Sequence, residues 1–332
     1  MNLRFLLRQA CLWAGLLSLL SGCQTPPHTT LLLAQPPAIA TQHFIRHVPF
    51  YPQQTYYCGP TTLSEVAGFY GLNKDPATIA PVTFIPGLQG TLQIEMQAAT
   101  RQLGMVAYAQ RGTLRQLLSL VAEDIPVIVL QNNAIAWYPQ WHYAVVIGYD
   151  LQSQEVILHT GVTEAHRLNF ATFERTWARG NYWLLAMLPA DQSSPQLEPF
   201  IYVKASQDLI ATQQVERGIL ALTTATRQWP DYWLPYFLLG NHFFSTQPQV
   251  AAEWFEQGLP FARQEISYLN NYAVLLSQQG CQAKAIKLIE EALSIAPHDS
   301  QLLDSQKLIG GANDLDSGSI AQCALSTVNE LR

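Results

Sequence analysis

The chain has 332 residues, enough for two domains of ordinary size, each with its own core. Hydrophobic residues make up 48% and charged residues 13%, which excludes a disordered chain and marks a globular one with a sparsely charged surface. The net charge of −6 is mild and no run of Lys and Arg occurs, which excludes a nucleic-acid-binding surface.

Arg4 and Arg8 open the chain as a short basic region, followed by an apolar stretch from Cys11 to Leu20. That stretch is too short to span a bilayer and reads as the core of a signal peptide. It ends in Leu20-Ser21-Gly22-Cys23, which resembles the lipobox of bacterial lipoproteins. The resemblance implies a signal peptide over 1–22, removal before Cys23, and acylation of Cys23, with more than one chain giving a stable anchor. Gln24 follows, and no Asp stands there to suggest retention at an inner membrane. The expected address is the bacterial cell envelope, lipid-anchored, on the periplasmic face of the outer membrane where the cell is Gram-negative. Residues 23–42, rich in Pro, Thr and Ala, read as a flexible tether.

The next segment carries chemistry. Tyr51-Pro52-Gln53-Gln54-Thr55-Tyr56-Tyr57-Cys58-Gly59-Pro60 leads into a helix-like stretch from Thr61 to Tyr70, with Leu63, Val66, Ala67 and Tyr70 at helical spacing. Cys58 therefore stands at a helix start, and Pro60 suits the first turn. A helix N-terminus favours the thiolate form of a cysteine. Its unpaired N–H groups can face a developing oxyanion. Gln53, five residues upstream, is placed to supply a second donor.

A nucleophilic thiol needs a base from elsewhere in the fold. The candidate is His142, which begins the strand pattern Trp141-His142-Tyr143-Ala144-Val145-Val146-Ile147-Gly148-Tyr149-Asp150. A buried strand over Ile125–Leu130 precedes it. Another, Glu155–His159, follows after a polar turn at Leu151–Gln154.

The pattern Phe50-x-x-Gln53-x(4)-Cys58-Gly59-Pro60, with the strand from His142 to Tyr149, resembles the bacteriocin-processing peptidases. These are papain-like cysteine enzymes that cleave after a double-glycine leader. The resemblance covers roughly His47 to Leu188 and is to their stand-alone relatives. It implies an α+β fold, N-terminal helices on an antiparallel sheet, over 43–188. It also implies Cys58 as nucleophile, His142 as general base and Gln53 in the oxyanion hole.

At the third position the chain departs from that family, which holds the imidazole with an Asp on the following strand. Hairpin geometry puts the facing residues at His159 to Gly161, where no carboxylate stands. Asp150 lies eight residues along the strand, about 26 Å away at roughly 3.3 Å per residue. His159, Thr160 or a backbone carbonyl is left to orient the ring, since orientation needs an acceptor and not a charge. Glu164 and His166 fall in the next loop.

Helices are expected over Thr91–Gly104 and Leu114–Ala122, with Gly87-Leu88-Gln89-Gly90 as a loop beside the cleft. Trp137, Tyr138, Trp141 and Tyr143 flank His142 and read first as packing; the second reading is that Trp137 and Tyr138 line a substrate groove. Pro189–Pro199 reads as a linker. Beyond it, residues 200–310 fit tetratricopeptide spacing, an all-α domain of two and a half to three repeats. Ala285, Ile289, Ala292 and Pro297 repeat the offsets of Gly218, Leu222, Ala225 and Pro230, and Leu239-Gly240, Ala251, Phe255 and Gly258 stand between them. Residues 311–332 read as a polar tail.

After loss of the signal and acylation of Cys23, the cysteines Cys58, Cys281 and Cys323 remain. Three is odd, so at least one stays free or pairs between chains; a Cys281–Cys323 bond would leave Cys58 free. No cofactor and no metal are called for. The expected partners are a peptide or protein substrate, a membrane through the lipid anchor, and room for a protein on the helical repeats. Two functions compete: an envelope-anchored cysteine peptidase with substrates recruited by the repeats, and a catalytically inactive scaffold that binds through them.

Overall fold

The computed structural model describes residues 25–311 except 54, 55, 86, 88, 89 and 136. The expected signal peptide, Cys23, Cys323 and the polar tail lie outside the described residues, apart from residue 311. The chain divides into two compact units. One holds the residues up to Met96 with Ala109–Ala186, the other Gln97–Tyr108 with Met187 onward.

The first unit opens with α1 (Pro27–Ala34) and β1 (Gln42–Phe44), then α2 (Cys58–Phe69) and α3 (Pro76–Thr83). After α4 (Gln93–Gln102) come β2 (Val106–Arg111), α5 (Leu114–Ala122), β3 (Val127–Asn132) and β4 (Trp141–Asp150). β5 (Glu155–Thr160), β6 (Thr163–Asn169), α6 (Phe170–Arg179) and β7 (Trp183–Leu188) follow. The strands form a seven-stranded sheet in the order β2-β7-β3-β4-β5-β6, with β1 also on β4. β3 and β1 share one edge of β4, in registers Gln131↔His142 and Gln42↔Asp150, and β5 takes the other edge.

β4 is the axis of this unit. Its residues Tyr143 to Tyr149 are all buried, because α2 and α5 both pack on it and its two faces are covered. α5 is held by an apolar stripe, Leu114, Leu117, Leu118 and Val121, and by Thr113, which accepts the Gln116 N–H at 3.1 Å as N-cap. α2 buries Leu63, Val66 and Ala67 completely, and each large side chain so removed from water contributes about 2 kcal/mol. It ends where Gly71 turns the chain with φ of +80°, letting the Leu72 N–H reach back to the Ala67 carbonyl at 2.8 Å.

Two segments expected to be loose are built in. The region read as a flexible tether contains α1, whose first turn is capped by a carboxylate far away in sequence. Glu174 on α6 accepts the His28 N–H at 2.8 Å, the Thr29 N–H at 2.6 Å and the Thr29 hydroxyl at 2.6 Å. The carboxylate meets the unpaired donors and the positive end of the helix together. The region read as a linker, 189–199, is likewise packed within the second unit. Leu197 and Ser194 are buried, Thr224 donates to the Ala190 carbonyl at 2.9 Å, and Tyr202 donates to the Gln192 carbonyl at 2.8 Å.

The second unit is helical: α7 (Pro199–Ala211), α8 (Val215–Gln228), α9 (Trp233–Phe243), α10 (Pro248–Gly258), α11 (Ile266–Gln278), α12 (Gln282–Ile295) and α13 (Ser300–Gly311). α7 pairs with α8, α9 with α10 and α11 with α12. Alternate helix starts recur every 33 or 34 residues, so α13 begins where a fourth pair would. Small residues admit the close contacts: a side chain at Gly240 would stand 2.8 Å from the Phe255 ring, and one at Gly258 would stand 2.5 Å from Tyr236. Phe255 stacks on Tyr272 at 5.4 Å and meets Tyr268 edge-on at 5.3 Å. Cys281 is disulfide-bonded, and Cys58 is the free thiol among the described residues. Among those residues no helix is long and apolar enough to cross a membrane.

The Glu174 clamp is testable. Glu174→Ala orphans the α1 donors and should lower stability by about 2–3 kcal/mol. Hydrogen exchange at residues 28–34 should accelerate at least tenfold; unchanged protection there would contradict the clamp.

Candidate active site

A cavity of about 1170 Å³ opens in the first unit, and Gln53, Cys58 and His142 all line it. The three come from separate elements: Cys58 is the first residue of α2, His142 the second of β4, and Gln53 stands in the segment leading to α2. Packing of α2 on β4 places the first two on the wall of the same cavity. The Cys58 sulfur faces the backbone N–H groups of Tyr143, Gly59 and Cys58 itself. Tyr143 follows His142 directly on β4, and Cys58, His142 and Tyr143 all line the cavity.

α2 has no side-chain N-cap. Tyr57 occupies that position and its carbonyl accepts the Thr61 N–H at 3.0 Å, but its side chain caps nothing, and this leaves first-turn N–H groups directed at the sulfur. Gly59 is required by its surroundings, since a Cβ there would lie 2.5 Å from Thr91 Oγ1. Thr91 is pinned in turn by Tyr143, whose hydroxyl donates to the Thr91 carbonyl at 3.2 Å.

The electrostatics depart from the sequence expectation. Burial pushes the Cys58 thiol above its ordinary value, and the three N–H groups lower it by less than burial raises it. The helix end therefore does not produce a thiolate at neutral pH. Burial also pushes the His142 imidazole down to about 4. At neutral pH both the thiol and the imidazole are uncharged.

Gln53 is fixed by its backbone, whose N–H donates to the Gly161 carbonyl at 2.9 Å. Its side-chain Nε2 is buried and has no partner among the described residues. A buried amide donor left unpaired at a cavity wall awaits an acceptor.

The two residues proposed for the third position separate clearly. His142 Nε2 lies 2.8 Å from Thr160 Oγ1. His159 turns the other way: its Nε2 faces the Val48 carbonyl at 3.2 Å, its Nδ1 accepts the Ala165 N–H at 3.2 Å, and its ring packs on Phe50. Asp150 sits at the far end of β4 and accepts the Gln152 and Ser153 N–H groups at 2.9 and 3.0 Å, bonds that hold its carboxyl below the ordinary value. Glu164 and His166 lie on β6, not in a loop, and do not line the cavity.

The aromatic residues before His142 do not form a packed cluster. Trp137, Tyr138 and Trp141 are 84%, 65% and 54% exposed, and Tyr138 and Trp141 line the cavity; of the set, Tyr143 is the buried member. Gly90, from the loop expected beside the cleft, also lines it.

Glu65 is a site residue that the sequence reading missed. It lies two turns beyond Cys58 on α2 and is fully buried. Its Oε1 accepts the Tyr51 N–H at 3.1 Å, fixing the segment that leads to Gln53, and its Oε2 has no partner among the described residues. Burial pushes the carboxyl up to about 8. The available signal was a lone acid within the otherwise uncharged run Cys58–Tyr70.

Residues 45–182 match the model of the Peptidase_C39 like family. This segment belongs to that family. The α+β papain-like class expected from the sequence is the fold of the C39-like segment. Among solved structures, a protein of Bacillus anthracis described as a C39-like peptidase is 16% identical, with a TM-score of 0.39, and the match covers 47% of this chain and all of that one. The peptidase domain of Streptococcus ComA, a bifunctional ABC transporter of a quorum-sensing pathway, is 23% identical, with a TM-score of 0.35, covering 43% of this chain and 99% of that one. No curated protein matches the chain.

Two predictions follow from the charges. Iodoacetamide should label Cys58 at a rate that climbs steadily beyond pH 9, the ordinary thiol value, because the folded value is raised. A plateau between pH 4 and 8 would reveal a preformed ion pair and contradict the neutral dyad. For Glu65, a folded value above the ordinary 4.5 means its stability contribution is complete below pH 4.5 and lost as pH climbs toward 8. The melting temperature of Glu65→Gln relative to the parent should rise by several degrees between pH 5 and pH 8; a constant difference would refute the assignment.

Proposed function

We propose that the chain is a cysteine peptidase in which Cys58 is the nucleophile, His142 the general base, Gln53 an oxyanion donor and Thr160 the residue that orients His142. The observation that carries this reading is the convergence of a free thiol, a neutral imidazole and an unpaired amide donor on one cavity. With Nε2 engaged by Thr160, the unprotonated Nδ1 is left to serve the sulfur.

His142 Nδ1 takes the Cys58 proton as the sulfur attacks the carbonyl carbon of a peptide bond. The oxyanion takes hydrogen bonds from the Gln53 amide and the Cys58 backbone N–H. The imidazolium returns its proton to the leaving amine, and the C–N bond breaks to give a thioester. A water, deprotonated by His142, attacks the thioester; the carboxylic acid leaves and the thiol is restored. Thr160 offers a neutral acceptor, so it orients the ring without stabilising its charge, in keeping with the depressed imidazole value.

The finer parts of the reading extend beyond this segment. Acylation at Cys23 would anchor the chain in a bacterial envelope. The 33–34-residue helix period supports tetratricopeptide-type repeats, whose stacked pairs would recruit a protein or leader-peptide substrate. The neutral Thr160 favours one rival, a catalytically silent scaffold binding through those helices.

Cleavage of a random peptide library by the full chain separates the two. Cys58→Ala should lower the rate by at least 1,000-fold, and unchanged cleavage would remove Cys58 as nucleophile. Thr160→Ala, losing one hydrogen bond of about 1 kcal/mol, should lower kcat/KM by about 5- to 10-fold. Thr160→Asp should raise Cys58 alkylation at pH 7, because a carboxylate stabilises the imidazolium. If the parent cleaves nothing while a protein partner binds the helices, the scaffold reading stands instead.

A further inference from the structure

The cavity wall bears one formal charge that the mechanism does not use. Arg179 closes α6 and lines the cavity, and no Asp or Glu is among its described lining residues. His142 is neutral above about pH 4, so at neutral pH the guanidinium sets the charge of the cleft.

Arg179 is also held in place. Its Nε donates to the Asn132 carbonyl at 3.0 Å, at the end of β3 where Asn132 pairs with Trp141. The next residue, Gly180, is pressed against the same strand: a Cβ there would stand 2.0 Å from the Leu130 carbonyl, and Leu130 pairs with Tyr143. With Nε engaged, the two Nη groups have no partner among the described residues. A guanidinium fixed at one nitrogen and open at the other two matches the two oxygens of a carboxylate.

Its place relative to the reacting groups follows from sheet order. Gln53 is bonded to Gly161, on the β5 side of β4, and Arg179 stands on the β3 side. A substrate lying across the start of β4, with its carbonyl oxygen at Gln53, extends over β3 toward Arg179. Two strand spacings, about 10 Å, separate β5 from β3, and an extended residue spans about 3.4 Å, so the charge falls within about three residues of the scissile bond.

We propose that the cleft selects peptides with a carboxylate within about three residues of the cleaved bond, and that Arg179 is the specificity-determining residue that reads it. This rests on the peptidase reading for the location of the scissile bond, but the preference for a carboxylate can be measured without catalysis.

The test uses the full chain and a random decapeptide library, scored for cleavage by the parent and for retention by Cys58→Ala. Asp or Glu should be enriched in both pools. Matched peptides with Glu or Gln at the enriched position, each with a free or amidated C-terminus, distinguish a side-chain carboxylate from a terminal one. The preferred member of a pair should exceed the other by about 10- to 100-fold in kcat/KM or affinity. Arg179→Gln should abolish the preference, and Arg179→Glu should turn it toward Lys, which simple loss of structure cannot do. Pools with no enrichment of carboxylates, or a preference that survives Arg179→Gln, would overturn the proposal. Retention biased by Arg179 without any cleavage would leave it standing while removing the hydrolytic mechanism.

Discussion

The meeting of the first turn of α2 with the first residues of β4 governs the whole site. The Tyr143 N–H directed at the Cys58 sulfur belongs to that meeting. The buried Leu63, Val66 and Ala67 hold the helix on the strand, and Gly59 lets its first turn come close to Thr91. The register of β4 with β3 is equally constrained: a slip of one residue would swing His142 to the other face and take its ring off the cavity wall.

Burial decides the chemistry that this meeting permits. Three backbone dipoles favour the thiolate, yet removal from water outweighs them, and among the described residues no carboxylate holds the imidazole as a cation. The proton then has reason to move only when a substrate carbonyl is in place to receive the electron pair. Such a site would be inert toward casual electrophiles, which readily consume an exposed thiolate.

The sequence made some of this legible and left other parts closed. β3, β4 and β5 were readable because their apolar runs are long and end in turn residues, and α5 because its leucines recur at helical spacing. The helix period of the second unit was visible in Gly218, Gly240, Gly258 and Ala285, since close helix contacts demand small residues. β6 was missed because Thr163-Glu164-Ala165-His166-Arg167-Leu168-Asn169 is an edge strand whose polar side chains are mostly exposed, which gives no alternation to read. α1 was missed because its hold comes from Glu174, distant in sequence, and local composition cannot report it. Choosing between His159 and Thr160 needed the twist and bulge of the hairpin, since both neighbours offer an acceptor and the four residues before Thr160 are all buried. The proton affinity of Cys58 is a balance of burial and dipoles, and only coordinates resolve that balance.

The capping of α1 by Glu174 bears on how the molecule would meet its substrates. Three residues separate Cys23 from Pro27, and fully stretched they reach roughly 15 Å. Under the acylation proposed at Cys23, the unit carrying the cleft would ride on a short leash, skimming the headgroups. Its encounters would be two-dimensional, with targets embedded in or emerging from the same leaflet met at high local concentration and freely diffusing ones met seldom.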